Sequence, residues 1–394
     1  MARVMDRPLE HGPGAPRRRR FLPVLPTLSP SLLSPLKAER APGFPFTAPR
    51  LVPFYFARNA VFHAVRLLGL SGREVLVPAY HHGVEVSALV AGGAIPRFVR
   101  VDARLRLDLD HLLRLANPRT AAVYVIHYAG FAQPMDEVRA AARRLGVPVI
   151  EDCALSLFAA EGSRPLGSTG EVAVFCFYKS LPVPNGGALV VNDPALRAAL
   201  PRPVGAPPVS TLSHAAGSLL AHLALRAGPA GEWFRTLARR SAQLFRDASG
   251  LRPLSTGTAV FDGEAVRLGM SRLSWRILRR TDPEAVTAAR RRNYFLLLAS
   301  LRQAAEPLFS ELPPGACPLF YPLLCIDKRA VMARLAAAGI ETVDFWRTGH
   351  ALCPASQFPE VERLRQGVLE LPIHQDLGPE EMAHLARLVL EALR

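Results

Sequence analysis

The run FCFYKSLPVPNGGALVVND, residues 175–193, carries one lysine, Lys179, between two apolar stretches. An amine held in such surroundings can condense with the aldehyde of a cofactor to form a Schiff base. Upstream, VIEDCA ends an apolar run on Glu151 and Asp152. Pyridoxal phosphate needs both kinds of group. Its aldehyde takes an amine, and an acid beside its ring nitrogen keeps that nitrogen protonated, so the ring can absorb a carbanion's electrons. VLVPAYHHG supplies Tyr80, His81 and His82 after a strand, and Tyr80 or His82 could lay a flat side chain over the ring. YVIHYAG adds His127. A phosphate prefers helix N-terminal amides, and the turn before NAVFHAV, with Arg58 and Asn59, offers them.

Each residue also has a plainer reading. Lys179 could be an exposed hairpin lysine, Asp152 a loop cap and His127 a satisfied core histidine. Tyr80 and His82 could line a domain interface. Cys153 and Cys176 read as small buried apolar residues rather than nucleophiles. No GxGxxG opens the first strand–helix unit, and neither a GxSxG elbow nor a GxxxxGK[ST] loop is present. The case for a cofactor therefore rests on the combination.

The elements that must position these residues alternate. FARNAVFHAVRLLGL predicts a helix over 57–68, ending before Gly69, and EVLVPAY a strand stopped by Pro78. GVEVSALVAGG reads as helix, IPRFVRVD as strand, LDHLLRLA as helix and TAAVYVIHY as a dense strand. PMDEVRAAARRLG is a helix with acids in its first turn and arginines in its last, as the helix dipole prefers. VPVIED, EVAVFCF and GGALVVN complete the strands. This rhythm predicts an α/β fold with a mostly parallel sheet covered on both faces, whose site lies beyond the carboxyl ends of its strands. Residues 200–262 read as less regular, with one helix at AGEWFRTLARRSAQLFRD. DPEAVTAARRRNYFLLLASLRQAA is a long connecting helix, followed by a strand–helix–strand–helix pattern. The expected division is a flexible Pro/Arg-rich arm at 1–48, a large domain at 49–262, a connecting helical region at 263–302 and a small α+β domain at 303–394.

Composition narrows the partners. The chain has 394 residues, 49% of them hydrophobic, and a net charge of +15. The arginines are spread along its length without a nucleic-acid module, so no nucleic-acid partner is expected. The proline-broken run after Arg17–Arg20 is not a clean secretory signal, and no apolar run is long enough to span a bilayer. Five scattered cysteines argue against a disulfide framework, and no zinc spacing occurs. A cytoplasmic protein without metal or membrane partner is expected.

Four stretches carry a resemblance: GREVLVPAYHHGVEVSALVAGGAIPRFVRVD, VIHYAGFAQPMDEVRAAARRLGVPVIEDCA, FYKSLPVPNGGALVVND and VLELPIHQDLGPEEMAHLARLVLEAL. Together they make the chain, from about residue 50 onward, resemble the DegT/DnrJ/EryC1/StrS family of pyridoxal-phosphate aminotransferases. The resemblance implies the aspartate aminotransferase type I fold and a homodimer. It implies that Lys179 forms the internal aldimine and shuttles the proton, and that Asp152 partners the pyridine nitrogen. It places His82 where an aromatic ring stacks on the cofactor, and His127 and Gly130 after the third core strand. Ala57, Arg58 and Asn59 fall near the phosphate-binding turn, without the common Ser-Gly-Thr. Gly186 and Gly187 match the glycine pair after the lysine, with Asn185 replacing the usual acid. Departures occur at Leu155, at Val174 (with Cys176 in related space), and at AVRLGMS, where Arg267 stands in the substrate-placing stretch. The implied reaction moves an amino group from glutamate or glutamine to a keto-sugar or other small ketone. The alternatives are a dehydratase or other pyridoxal-phosphate chemistry, against which the retained lysine speaks, and a non-catalytic regulator or nucleic-acid binder on the same fold.

Overall fold

The computed structural model describes residues 20–40, 42–249, 253–254 and 261–394. Arg17–Arg19 and the rest of the first nineteen residues lie outside the described part.

The first strand, β1 (Leu51–Phe54), leads into α1 (Ala57–Leu67). Alternation follows: β2 (Glu74–Pro78), α2 (Val84–Ala91), β3 (Ile95–Val99), α3 (Leu109–Leu115), β4 (Thr120–Ile126), α4 (Met135–Leu145) and β5 (Val149–Cys153). A short hairpin, β6 (Ala160–Glu161) and β7 (Arg164–Pro165), precedes β8 (Val172–Cys176) and β9 (Gly187–Val191). Seven of these strands form one sheet in the order β1-β9-β8-β5-β4-β2-β3. β3, β2, β4, β5 and β8 run parallel, while β9 and β1 pair antiparallel. Proline cannot donate to a ladder, and Pro53 and Pro96 accordingly sit in β1 and β3, the two edge strands. β2, β5, β8 and β9 are buried throughout, as near-continuous apolar runs covered on both faces must be. α4 carries Asp136 and Glu137 in its first turn, Arg143 and Arg144 in its last, and ends on left-handed Gly146.

Beyond β9 the structure is more regular than the sequence suggests. α5 (Pro208–Ser249) runs 42 residues through a kink at Gly228 and Pro229. Gly228 and Pro229 read as a break, and both halves are helical. α6 (Arg272–Leu278) and α7 (Pro283–Leu301) follow. A second, three-stranded sheet, in the order β10-β12-β11, is built from β10 (Phe320–Leu324), β11 (Val343–Asp344) and β12 (Val368–Pro372). α8 (Lys328–Ala337), α9 (Pro359–Gly367) and α10 (Pro379–Ala392) complete this part. One apolar core joins the two sheets, from Val77 and Tyr124 to Phe345 and Leu371.

The segment from Arg20 packs on the rest of the chain. Leu22 bridges to Ile340, Thr27 donates through its backbone N–H to Asp376 Oδ2 at 2.6 Å, and Phe44 and Phe46 enter the core beside β8. No described helix is long and apolar enough to cross a membrane.

Candidate active site

β2 lies between β3 and β4, while the chain proceeds outward through β5 and β8. Connections leaving in opposite directions open a crevice at the carboxyl ends of the strands. A cavity of about 430 Å³ lies there, closed on its far side by the small sheet. The large domain contributes Arg58, His82, Glu85, Asp152, Cys176, Tyr178 and Lys179 to its wall. The small sheet and its loops add Phe320, Asp344, Trp346, Arg347 and Glu370, and the N-terminal segment adds Val24 and Leu25.

Asp152 is the fourth residue of β5 and Lys179 the third after β8, and these strands are neighbours. Adjacent strands lie about 4.8 Å apart, so the sheet itself brings the two side chains to one cavity. Asp152 is buried, with Oδ2 accepting from the Tyr124 hydroxyl at 2.6 Å and Oδ1 from the Ala154 N–H at 2.8 Å. Burial and then the nearby Glu85 carboxyl raise its pKa, while Tyr124, Ala154 and Lys179 oppose them. Burial drives the Tyr124 hydroxyl well above its ordinary range, which keeps it a donor to Asp152.

The turn that carries Lys179 is held from outside. Arg290, fully buried on α7, donates to Ser180 O at 3.0 Å, and Gln375 donates to the same oxygen at 3.1 Å. The glycine pair explains the close approach on the other side. A Cβ on Gly187 would come within 2.4 Å of Ala57 N, so only glycine lets β9 begin against the first turn of α1. Gly186 has φ +145, which an L side chain rarely adopts.

The N-terminus of α1 faces the cavity. Its N-cap, Phe56, makes no side-chain capping bond, and Ala57 and Arg58 line the wall. Arg58 also lies over the Phe56 ring at 4.0 Å. First-turn amides with a guanidinium beside them suit a phosphate. His82 stands near Trp346, with ring centroids 6.3 Å apart, and its Nδ1 is buried without a hydrogen-bond partner. Burial, then the charges of Lys179, Arg58 and Arg365, push His82 down to about 4, so its ring is flat and neutral at pH 7. An uncapped helix start, an amine, a buried carboxylate and a neutral ring fit the phosphate, aldehyde, ring nitrogen and ring face of pyridoxal phosphate.

Other residues singled out in the sequence lie outside the cavity wall. Tyr80 is buried among Tyr128, Phe345 and Trp346, and its hydroxyl donates to Phe345 O at 3.0 Å. Asn59 donates to Ala265 O at 2.7 Å. His127 is buried against Glu151, Nε2 to Oε2 at 3.1 Å, while its Nδ1 accepts from Gln133 N. Gly130 (φ +91) allows the chain to pass Cys317 O, which a Cβ would meet at 2.0 Å. Asn185 Oδ1 accepts from Ser271 N at 2.9 Å, and its amide donates to Thr211. Arg267 is exposed at the end of a short helical turn.

His127, Glu151 and Cys153 offer ligand atoms within 4.8 Å of one another. The Glu151 oxygens already accept from His127 and from the N–H groups of Gly167, Thr169 and Gly170. Burial pushes Glu151 up, yet His127 and these amides outweigh it and hold the carboxyl below its usual range. The cluster reads as a structural brace. Burial raises both Cys153 and Cys176, so neither thiol is activated.

Sequence reasoning missed three carboxyls in the cavity wall. Glu85 comes from α2 and accepts from His82 N at 2.8 Å. Asp344 pairs with Lys328, and Glu370 comes from β12. VLELPI carried Glu370 in the sequence, but nothing local shows that β12 turns it toward a lysine on the other sheet. Burial pushes Glu370 up to about 8, with Lys179 and Lys328 pulling it back.

Residues 57–202 match the DegT/DnrJ/EryC1/StrS aminotransferase family. The chain is similar to GDP-perosamine synthase of Vibrio cholerae, 30% identical over 34% of this chain and 37% of that one. It is also similar to L-glutamine:2-deoxy-scyllo-inosose aminotransferase of Streptoalloteichus tenebrarius, 36% identical over 32% of this chain and 30% of that one. The matched region thus spans about a third of these relatives' length. The fold extends further. The sugar aminotransferase CalS13 of Micromonospora echinospora superposes with a TM-score of 0.64 at 21% identity, covering 94% of this chain and 100% of that one. DesV of S. venezuelae, solved in complex with a ketimine intermediate, gives 0.62 at 21% identity over 88% and 86%. The α/β architecture, with its mostly parallel sheet and smaller C-terminal α+β part, is that of fold-type I aminotransferases. The similarity to the DegT/DnrJ/EryC1/StrS aminotransferase family thus rests on residues 57–202, and the fold likeness extends it over most of the chain.

Proposed function

We propose that the protein is a pyridoxal-phosphate-dependent aminotransferase that moves an amino group from glutamate or glutamine to a keto-sugar or other small ketone. The observation that carries this reading is the convergence of Lys179, Asp152 and the uncapped start of α1 on one cavity. When bound, pyridoxal phosphate supplies an electron sink for the carbanion formed at the amino acid's α-carbon. Lys179 Nζ takes the α-proton and returns it on the far side of the transfer. Asp152, held by Tyr124 and Ala154, keeps a proton on the ring nitrogen. His82 covers the ring face, Arg58 and the α1 amides hold the phosphate, and Cys176 with Tyr178 fills the wall beside Lys179.

The family relatives support the reaction class, and DesV and CalS13 support the frame that positions it. The substrate readers we assign are Glu370, Asp344 and Arg347, whose side chains enter from the small sheet and its loops. Asn185 and Arg267 would take part only if the chain rearranges around a substrate or partner. The domain division supported by the two sheets is a large domain at 49–262, a connecting region at 263–302 and a small domain at 303–394. A homodimer is the assembly we infer from the family, and free thiols at all five cysteines favour a cytoplasmic setting.

The test is a single half-reaction. Protein saturated with pyridoxal phosphate and mixed with glutamate should release one 2-oxoglutarate per bound cofactor, then stop until a ketone is added. Bound cofactor with no keto acid released from glutamate or, in a parallel reaction, from glutamine would refute the assignment.

Glu370 gives a pH prediction. An acid whose folded pKa lies above its unfolded value is stabilising while protonated and loses that advantage as pH rises. For Glu370 the loss runs from about pH 4.5 to about 8. Glu370→Gln cannot ionise, so its stability relative to wild type should climb across that window, to at most about 5 kcal/mol above pH 8. Thermal unfolding from pH 5 to 9 reads this directly, and parallel curves for the two proteins would contradict it.

A further inference from the structure

The N-terminal segment and the turn that carries Lys179 are clasped to the same loop, residues 373–377. Buried His374 donates from Nε2 to Pro23 O at 2.9 Å. Asp376 Oδ2 accepts from Thr27 N at 2.6 Å and from the Thr27 hydroxyl at 2.9 Å. Between them, Gln375 donates to Ser180 O, one residue beyond Lys179. α7 fixes this arrangement from below: Asn293 donates to His374 O at 3.2 Å and to Leu377 O at 3.0 Å, and Arg290 donates to Ser180 O. On either side of the clasp, Leu22 N donates to Gly339 O at 3.0 Å and Leu28 N to Ser218 Oγ at 2.8 Å. Lifting the segment away would strand the buried polar groups of Thr27 and His374, so its position is held.

From Phe21 to Leu28 every residue is buried except Val24 and Leu25. Both line the cavity that holds Lys179 and Asp152. Leu25 is also 43% accessible, so it stands where the cavity meets solvent. The anchors thus present two apolar side chains to the cavity, next to the loop that braces the lysine turn. A cavity of about 430 Å³ lies toward the small end of small-molecule sites, and it must take the cofactor as well. Once Arg58 and Lys179 are given to the cofactor, Arg347 is the one arginine or lysine left in the described wall, beside the acids Asp344 and Glu370. Such a wall suits a compact ketone and offers little to a diphosphate. We propose that Val24 and Leu25 set the size limit of the acceptor, admitting a compact ketone and turning away one that carries a nucleoside diphosphate. That they screen an acceptor rests on the aminotransferase reading; that they limit access to Lys179 rests on the packing alone.

Access can be measured on the full chain without cofactor. Lys179 is reductively alkylated with cyanoborohydride and either propanal or 2-naphthaldehyde, and its peptide is quantified by mass. Lys37, which is exposed, serves as the internal standard. The ratio of naphthyl to propyl label on Lys179, relative to that on Lys37, should rise about tenfold in Val24→Ala with Leu25→Ala, because a bulky group no longer has to be forced past the two side chains. It should fall in Leu25→Trp. If the double variant does not fold, Leu25→Trp carries the test in the opposite direction, at a position open to solvent. Equal ratios in the variants and the wild type overturn the proposal. So does wild-type protein, loaded with pyridoxal phosphate and given glutamate, that aminates UDP-4-keto-6-deoxyglucose. The labelling does not involve the glutamate half-reaction, so equal ratios leave the aminotransferase reading standing, and a failed half-reaction leaves the size limit at Lys179 standing.

Discussion

Lys179→Ala should bring amino transfer down by about 10³-fold or more, the range expected when a positioned general base is lost. The same substitution should remove the covalent tag that borohydride leaves on the wild-type protein treated with pyridoxal phosphate. In the wild type that tag should map to the peptide containing Lys179. The effect should be chemical rather than structural, because the turn is held by Arg290 and Gln375 through Ser180 O and not through the lysine side chain. Lys179 is also only half-buried, so its truncation opens little of the core. A small primary amine supplied in solution should recover part of the rate, since it replaces the missing base without restoring the fold. A tag that survives on another residue, or a variant with wild-type turnover, would show that Lys179 is not the reacting amine.

Asp152→Asn should keep the cofactor in place and still cost on the order of 10²–10³-fold in turnover, as for removal of one preorganised charge partner. The amide is the same shape as the carboxylate and can keep the bond from Ala154 N–H. It cannot hold a proton on the ring nitrogen by charge. Burial and Glu85 already raise the Asp152 pKa in the free protein, and a cationic ring nitrogen would draw it back down. The loss should therefore fall on turnover rather than on the substrate's KM, and the absorbance of bound cofactor should shift toward an unprotonated ring. An unchanged spectrum with unchanged turnover would place the ring nitrogen elsewhere.

How much of this was legible depended on how local each feature is. The strand–helix rhythm from Ala57 to Val191 could be read directly, because buried parallel strands are unbroken apolar runs and their helices carry dipole-matched ends. Asp152 and Lys179 stood out because polar residues at the ends of such runs need a reason to be there. Tyr80, His127 and Asn185 stood out for the same reason, yet their polar atoms find partners inside the protein: Phe345 O, Glu151 and Ser271. Sequence alone cannot separate a polar group that faces a cavity from one satisfied in the interior. Glu370 and Trp346 were invisible for the opposite reason: they reach the cavity from segments more than 160 residues beyond the lysine, by tertiary packing alone. The helical stretch ahead of Gly228 was hidden by the frequent Gly and Pro of this region, and Gly228 and Pro229 form the corner at which it passes into the helix beyond.

The antiparallel return of β9 beside β8 places Lys179 on a tight connection between two interior strands, with Asp152 one strand away. The opposite wall comes from elsewhere, from the leading segment and the trailing sheet with its loops. The fold therefore separates a wall fixed by interior strands from a wall set by surface segments. Relatives sharing only the stretch from Ala57 to Arg202 can keep one chemistry and admit very different molecules to it.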